Sequence, residues 1–154
     1  MSEMVLMFAM KLMFVKEIRE TDAGADVYFD GGYVGRLPRE SNDKYAECID
    51  CAREGLKNSC PVSVTMAKPD RIVSIHPADS DTVRYLKDFD AGRLRVLFWR
   101  HAAVYYLGKD NPDLHRITAI LQNSEKDHSL VWLSFQQDKL LVVDALPAEQ
   151  GAKH

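Results

Sequence analysis

From residue 25 the chain switches repeatedly between a period of two and a period of three to four. Asp26-Val27-Tyr28-Phe29 is rich in strand formers, and Asp30-Gly31-Gly32 has the composition of a hairpin turn. Tyr33-Val34-Gly35-Arg36-Leu37 predicts the return strand, which Pro38 ends. Tyr45, Cys48, Ile49, Ala52 and Leu56 then recur at threes and fours, predicting a helix with one apolar stripe, capped by Asn42 and stopped by Pro61. Val62, Val64 and Met66 alternate as a strand face. Lys68-Pro69-Asp70 turns the chain, and Arg71-Ile72-Val73-Ser74-Ile75 runs back.

The same order recurs further on. Arg95-Val96-Leu97-Phe98-Trp99 leads through Arg100-His101-Ala102 to Ala103-Val104-Tyr105-Tyr106-Leu107. Asn111 predicts a second helix cap with Pro112 at the first helical position, where its missing amide costs nothing. Leu114, Ile117, Ile120 and Leu121 form the stripe. Val131, Leu133 and Phe135 alternate, Gln137-Asp138 turns, and Lys139-Leu140-Leu141-Val142-Val143 returns. Aligned with single-residue gaps in loops, Val27 meets Val96, Leu37 meets Leu107, Cys48 meets Ile117 and Val62 meets Val131. The expectation is an α+β fold built from a β-β-α-β-β unit used twice with pseudo-twofold symmetry, as mostly antiparallel sheet or small barrels. Residues 25–76 and 93–146 are the two repeats of one compact domain. Residues 77–92 are a linker helix capped by Asp79 or Ser80, with Val83, Leu86 and Phe89 on one side. The tail after Pro147 reads as frayed.

Ahead of the first repeat lies an apolar segment, Met4 to Val15 broken by Lys11. It is too short to span a bilayer and lacks a signal-peptide pattern, so it reads as a core-packed strand or helix. The formal charge of −3, with Lys and Arg scattered, argues against a large nonspecific nucleic-acid footprint while leaving room for a local basic patch. The odd cysteine count (Cys48, Cys51, Cys60) favours reduced thiols and a cytoplasmic setting.

Chemistry-bearing motifs are sparse. Cys48-x-x-Cys51 has redox spacing but falls inside a helix rather than at its N-terminus, where a thiol would be activated. Cys60 and His76 are the nearest further zinc ligands, without a supporting second pair. His76, His101, His115, His128 and His154 show no ligand spacing, and Asp79-Ser80-Asp81 and Asp88-Phe89-Asp90 read as capping and solvated acids. No cofactor or metal is expected, and catalytic residues are not assigned.

The two repeats differ on one face. If Val96 and Phe98 point inward, Leu97 and Trp99 point out, as does Trp132 opposite Val131 and Leu133. The first-repeat counterparts are Tyr28, Asp30 and Ser63. Either the N-terminal segment or the linker helix covers this aromatic face, or it is a partner surface.

The stretch Val27-Tyr28-Phe29-Asp30-Gly31-Gly32-Tyr33-Val34-Gly35-Arg36-Leu37-Pro38-Arg39-Glu40, followed by a helix, resembles the HIRAN domain. In the second repeat Leu107-Gly108-Lys109 replaces Leu37-Pro38-Arg39. The resemblance implies a small β-barrel module of the kind found with DNA-remodelling enzymes, some of which capture single-stranded DNA ends. Tyr28 and Tyr33 would then stack on bases while Arg36 and Arg39 held phosphates.

The leading expectation is therefore a non-enzymatic binding or adaptor protein that recognises a protein partner or a second copy of itself through Leu97, Trp99 and Trp132. Single-stranded nucleic-acid binding by a HIRAN-like barrel is the alternative, and an enzyme with a site assembled from distant loops is a third. No membrane partner is expected.

Overall fold

The structure, a computed structural model, describes residues 8–40, 43–67 and 70–148. The protein is α+β, and contacts divide the chain into two compact units, the first ending at Ala78 and the second beginning at Asp79. The first unit comprises β1 (Phe8–Met13), β2 (Val15–Thr21), β3 (Gly24–Phe29), β4 (Val34–Pro38), α1 (Tyr45–Asn58), β5 (Val62–Ala67) and β6 (Arg71–Pro77). The second comprises β7 (Asp79–Asp81), β8 (Val83–Asp90), β9 (Arg93–Phe98), β10 (Val104–Gly108), α2 (Leu114–Asp127), β11 (Val131–Gln136) and β12 (Leu141–Pro147).

Each unit forms one six-stranded sheet, in the orders β1-β5-β6-β4-β3-β2 and β7-β11-β12-β10-β9-β8. Pairing is antiparallel except where β4 meets β6 and β10 meets β12 in parallel. The correspondence extends to register. Gly24–Pro38 and Val27–Gly35 in the first unit match Arg93–Gly108 and Val96–Tyr105 in the second. The bulge between Thr65 and Met66 matches that between Ser134 and Phe135. Three loop hydrogen bonds are duplicated too. Asp30 N donates to Phe14 O as Trp99 N does to Thr82 O; Arg36 N to Asp70 O as Tyr106 N to Leu140 O; Arg39 N to Ala23 O as Lys109 N to Gly92 O. The repeating unit is thus β-β-β-β-α-β-β, longer than the five elements that periodicity predicts.

Of the added strands in the first unit, β1 comes from the apolar N-terminal segment, and β2 runs from the last residue of that segment, Val15, through the mostly polar stretch to Thr21. The other two replace the expected linker helix, which the structure does not contain. The helical reading failed for a physical reason. β8 bulges between Val83 and Tyr85 and again between Asp88 and Asp90. The first extra residue places the inward-facing Val83 and Leu86 three apart, mimicking helical spacing on a strand. Phe89 sits in the second bulge and is 43% exposed. Smaller corrections concern the helices. Helix α2 starts at Leu114, and Asn111 does not cap it; its Oδ1 accepts from Asp113 N at 2.8 Å, an Asx turn that leaves Pro112 before the helix. Asn42 lies outside the described residues. On α1, Leu56 is 40% exposed and Gly55 faces inward, because a Cβ at 55 would lie 2.8 Å from Val62 Cγ1.

Each unit has its own apolar core. The first is built on Val27, Phe29, Leu37, Ile49, Val64 and Ile72, the second on Val96, Phe98, Leu107, Ile117, Leu121 and Leu133. Leu107→Ala, which removes a fully buried side chain, is expected to cost about 2–5 kcal/mol. Lys87→Ala, on the opposite face of the same sheet, is expected to cost less than about 0.5 kcal/mol. Urea denaturation of both variants checks which face is the core.

Candidate functional site

Alternation sets the site. With Val96 and Phe98 buried, the neighbouring β9 positions Arg93, Arg95 and Leu97 face outward, and Trp99 continues the row. Register brings Tyr85 and Val104 beside Leu97, and Lys87 and Tyr106 beside Arg95. Cations and rings interleave across three strands. The Arg95 guanidinium lies 5.1 Å from the Phe89 ring centre and 6.0 Å from that of Tyr85. Lys87 approaches Tyr85 at 5.3 Å, and Arg84 covers Trp99 at 4.9 Å. Arg93 lies over both Tyr106 and Phe89, whose rings are 5.3 Å apart.

Charge pairing on this face is incomplete. Arg93 is held by Asp90 at 3.0 Å, and Lys109 by Asp88 at 2.5 Å. The hydrogen bond from Arg93, then that from the Gly92 amide, keeps the Asp90 carboxyl below the usual carboxylate range. Arg84, Lys87 and Arg95, by contrast, have no carboxylate partner among the described residues. Arg95 Nε is also buried without a hydrogen bond. The matching face of the first unit is neutralised. Register places Asp26 where the second unit has Arg95, opposite Arg19 and Arg36. Arg36 reaches Asp26 at 3.3 Å, and Arg19 reaches Glu17 at 2.6 Å.

A second cluster lies at the corner between β7 and β8. Asp81 is fully buried. Its carboxylate accepts from Thr82 N at 2.6 Å, from Arg100 N at 3.0 Å and from His101 Nδ1 at 2.5 Å. The imidazole sits edge-on to Phe98, Tyr105 and Phe135, with Nε2 3.9 Å from Asp79 Oδ1. An aspartate orienting a histidine through Nδ1 is half of a general-base arrangement. The other half is missing: among the described residues, no hydroxyl, thiol or amine hydrogen-bonds Nε2. What the cluster does do is fix the segment carrying Trp99 and Arg100 to the β7–β8 corner, since Trp99 N also bonds Thr82 O.

The sequence-predicted residues separate. Leu97 and Trp99 share the cationic face, with Trp99 56% exposed. Trp132 lies on β11, three strands from β9, or about 14 Å along the sheet, and pairs with Ser80 and Leu146. It therefore does not complete a patch with the other two through strand pairing. Tyr28 lies under Arg19, Arg39 covers Tyr45 at 4.8 Å, and Tyr33 is 60% exposed in the hairpin turn. Arg36 is engaged by Asp26 as described. Sequence reasoning missed Tyr85, Lys87, Phe89, Arg84 and the Asp81–His101 pair. The two bulges in β8 give its apolar residues a helix-like spacing, and the helical assignment that followed concealed these residues.

The remaining motifs stay quiet. Cys48 and Cys51 lie within α1, and burial, followed by the influence of Cys48, pushes the Cys51 thiol up to about 11. Among the described residues no three His, Cys, Asp or Glu side chains converge as metal ligands, and no helix is long and apolar enough to cross a membrane. A cleft lined by Ile120, Asn123, Asp127, Ser129, Val131 and Pro147 does not reach His101.

No protein-family model matches the chain, and neither a curated protein nor a solved structure does so at a significant level.

Two outcomes follow from this geometry. Asp81→Ala strands the Thr82 and Arg100 amides and the imidazole, and is expected to lower stability by about 3–5 kcal/mol in denaturant titration. The Cys51 thiol ionises near 9.0 when unperturbed and at about 11 when folded, so the native state holds its proton longer. Stability contributed by this thiol is therefore lost as pH rises from 9.0 towards 11, and alkylation of Cys51 by iodoacetamide at pH 8 is expected to be slow until denaturant is added.

Proposed function

We propose that the protein is a non-enzymatic binding protein whose recognition surface is the outer face of β8, β9 and β10, and whose partner is anionic. The observation that carries this reading is the set of three cations, Arg84, Lys87 and Arg95, held among aromatic rings without carboxylate partners among the described residues. Unpaired charge on one face repels itself, and a partner of opposite sign relieves that repulsion. The apolar members of the face, Leu97 and Trp99, supply contact area beside the charges, as interface anchors do. Self-pairing through this face fits less well, because an isologous dimer sets like patches against each other and so opposes their cations. Binding is favoured over catalysis because Asp81 is engaged with N–H donors and, among the described residues, no nucleophile bonds His101 Nε2.

The overall charge of −3 makes the test clean, since retention by a polyanion must then come from a local patch. The chain is expected to bind immobilised heparin at low salt and to elute as salt rises. Arg84→Glu, Lys87→Glu and Arg95→Glu combined are expected to abolish retention, whereas Arg36→Glu in the first unit leaves it unchanged. A wild-type chain that flows through the column overturns the reading.

A further inference from the structure

We infer that the anionic partner is an extended acidic segment of a protein, in which an apolar residue separates two carboxylates at alternating positions. The inference rests on the binding reading just given and adds the chemistry of the occupant.

The rings on this face support the cations. Arg84 lies over Trp99, and Arg93 and Arg95 lie over Phe89, so an arriving partner meets guanidinium before it meets ring. A guanidinium over a ring keeps N–H groups at its edge, and their fork matches a carboxylate. The chain already makes such matches. Asp90 holds Arg93 and Asp88 holds Lys109 on this face, and at the register of Arg95 the first unit carries Asp26, bonded to Arg36. A carboxylate from outside supplies to Arg95 and Lys87 what Asp26 supplies within the first unit.

The order of the charges narrows the occupant further. Register sets successive levels along β9. Arg95 sits beside Lys87, then Leu97 sits between Tyr85 and Val104, and then Trp99 lies under Arg84. The middle level carries no charge of its own. On the far side of Arg95 the row is closed, because Arg93 is already taken by Asp90. Successive outward positions are about 7 Å apart, so the two cationic levels are separated by about 14 Å. Alternate side chains of an extended peptide advance by the same step, so its residues i, i+2 and i+4 fall on the successive levels. An acid, an apolar residue and an acid at those positions satisfy each level in turn. A uniform polyanion does not, since it sets charge over Leu97 and Val104, where an apolar side chain is the better fit.

The test is surface plasmon resonance of the full chain over densely immobilised synthetic peptides, a format that reads weak binding. One peptide carries Glu-Thr-Leu-Thr-Glu between serines. A second has the same composition in the order Glu-Glu-Thr-Thr-Leu, and a third has serine in place of the leucine. The alternating peptide is expected to bind about fivefold or more tighter than either of the others. Arg84→Ala and Arg95→Ala are each expected to lower its affinity by about fivefold or more, and Arg36→Ala, in the first unit, to leave it unchanged. Leu97→Ser is expected to remove the preference for leucine over serine, and near-wild-type heparin retention by that variant shows that the cationic face survives. Heparin retention with the three peptides bound equally or not at all overturns the inference and leaves the anion-binding reading standing. Oligothymidylate bound more tightly than the alternating peptide has the same consequence. Failure to bind heparin or any peptide removes both.

Discussion

In each unit a single residue joins the two edge strands of a six-stranded sheet. Phe14 links β1 to β2, and Thr82 links β7 to β8, although each pair stands at opposite ends of its strand order. A flat sheet cannot satisfy that link, so each sheet must curl until its edges approach at the corner. The helix then closes the open side. In the second unit, side chains of α2 occupy amides of the edge strand: Ser124 Oγ accepts from Val83 N and donates to Ser129 O, and Glu125 accepts from Leu86 N. Those groups would otherwise be an unpaired edge, the feature by which sheets aggregate. Curling also gives the sheet a concave face for the core and a convex one facing outward, and the candidate site lies on the convex one.

The two units meet the same constraint with different chemistry. At the corner the first unit has Met13 where the second has the buried Asp81, as their pairing with Val62 and Val131 shows. Nearby, Gly35 leaves room for Ile72, whose side-chain atoms would lie 2.6–2.7 Å from a Cβ at 35. The second unit has Tyr105 at that place, stacked 4.2 Å from Phe135. The first unit therefore fills this region with aliphatic volume, and the second with rings, a histidine and a carboxylate. A buried carboxylate is tolerated only when its lone pairs are satisfied, and Asp81 obtains this from two amides and the imidazole. The cluster costs desolvation, but in return it pins the loop after β9. An inversion of sign marks the helix entries as well: Lys44 with Glu47 in α1, Asp113 with Arg116 in α2.

Legibility in the sequence followed the regularity of the strands. β3, β4 and their counterparts alternate, β5 and β11 do so up to a single bulge near their ends, and both helices carry stripes, so the central five elements of each unit could be read from period alone. β7 and β8 could not. A bulge changes the local period from two towards three, and the hydrophobic pattern of a twice-bulged strand becomes that of a helix. The same error hid the site, because Tyr85, Lys87 and Phe89 make one row with Arg95 only once β8 is a strand. The outward direction of Leu97, Trp99 and Trp132 was legible from alternation. Their separation was not, since it depends on β10 and β12 lying between β9 and β11, and strand order is not written in local period. Asp81 and His101 were likewise unreadable as a pair, being brought together by the corner.

The contrast at one register position shows how little change separates a quiet face from a charged one. Asp26 and Arg95 occupy equivalent places, each flanked by a cation on the preceding strand, Arg19 or Lys87. With aspartate there, the two guanidiniums beside it gain an opposite charge, and the face is close to neutral. With arginine there, the neighbouring lysine becomes a like charge, and among the described residues neither has a carboxylate within ion-pair distance. Such an arrangement is unfavourable in the isolated protein, and cation–π contacts with Tyr85 and Phe89 offset only part of that, at about 0.5–1 kcal/mol each when exposed. Those contacts also restrict the side chains near the rings, which reduces the rotamer entropy an incoming anion must remove. A face built this way has its charge unpaired and its side chains already ordered. The repulsion raises the free energy of the unbound face, and the ordering lowers the entropy that any anion settling on it would have to remove.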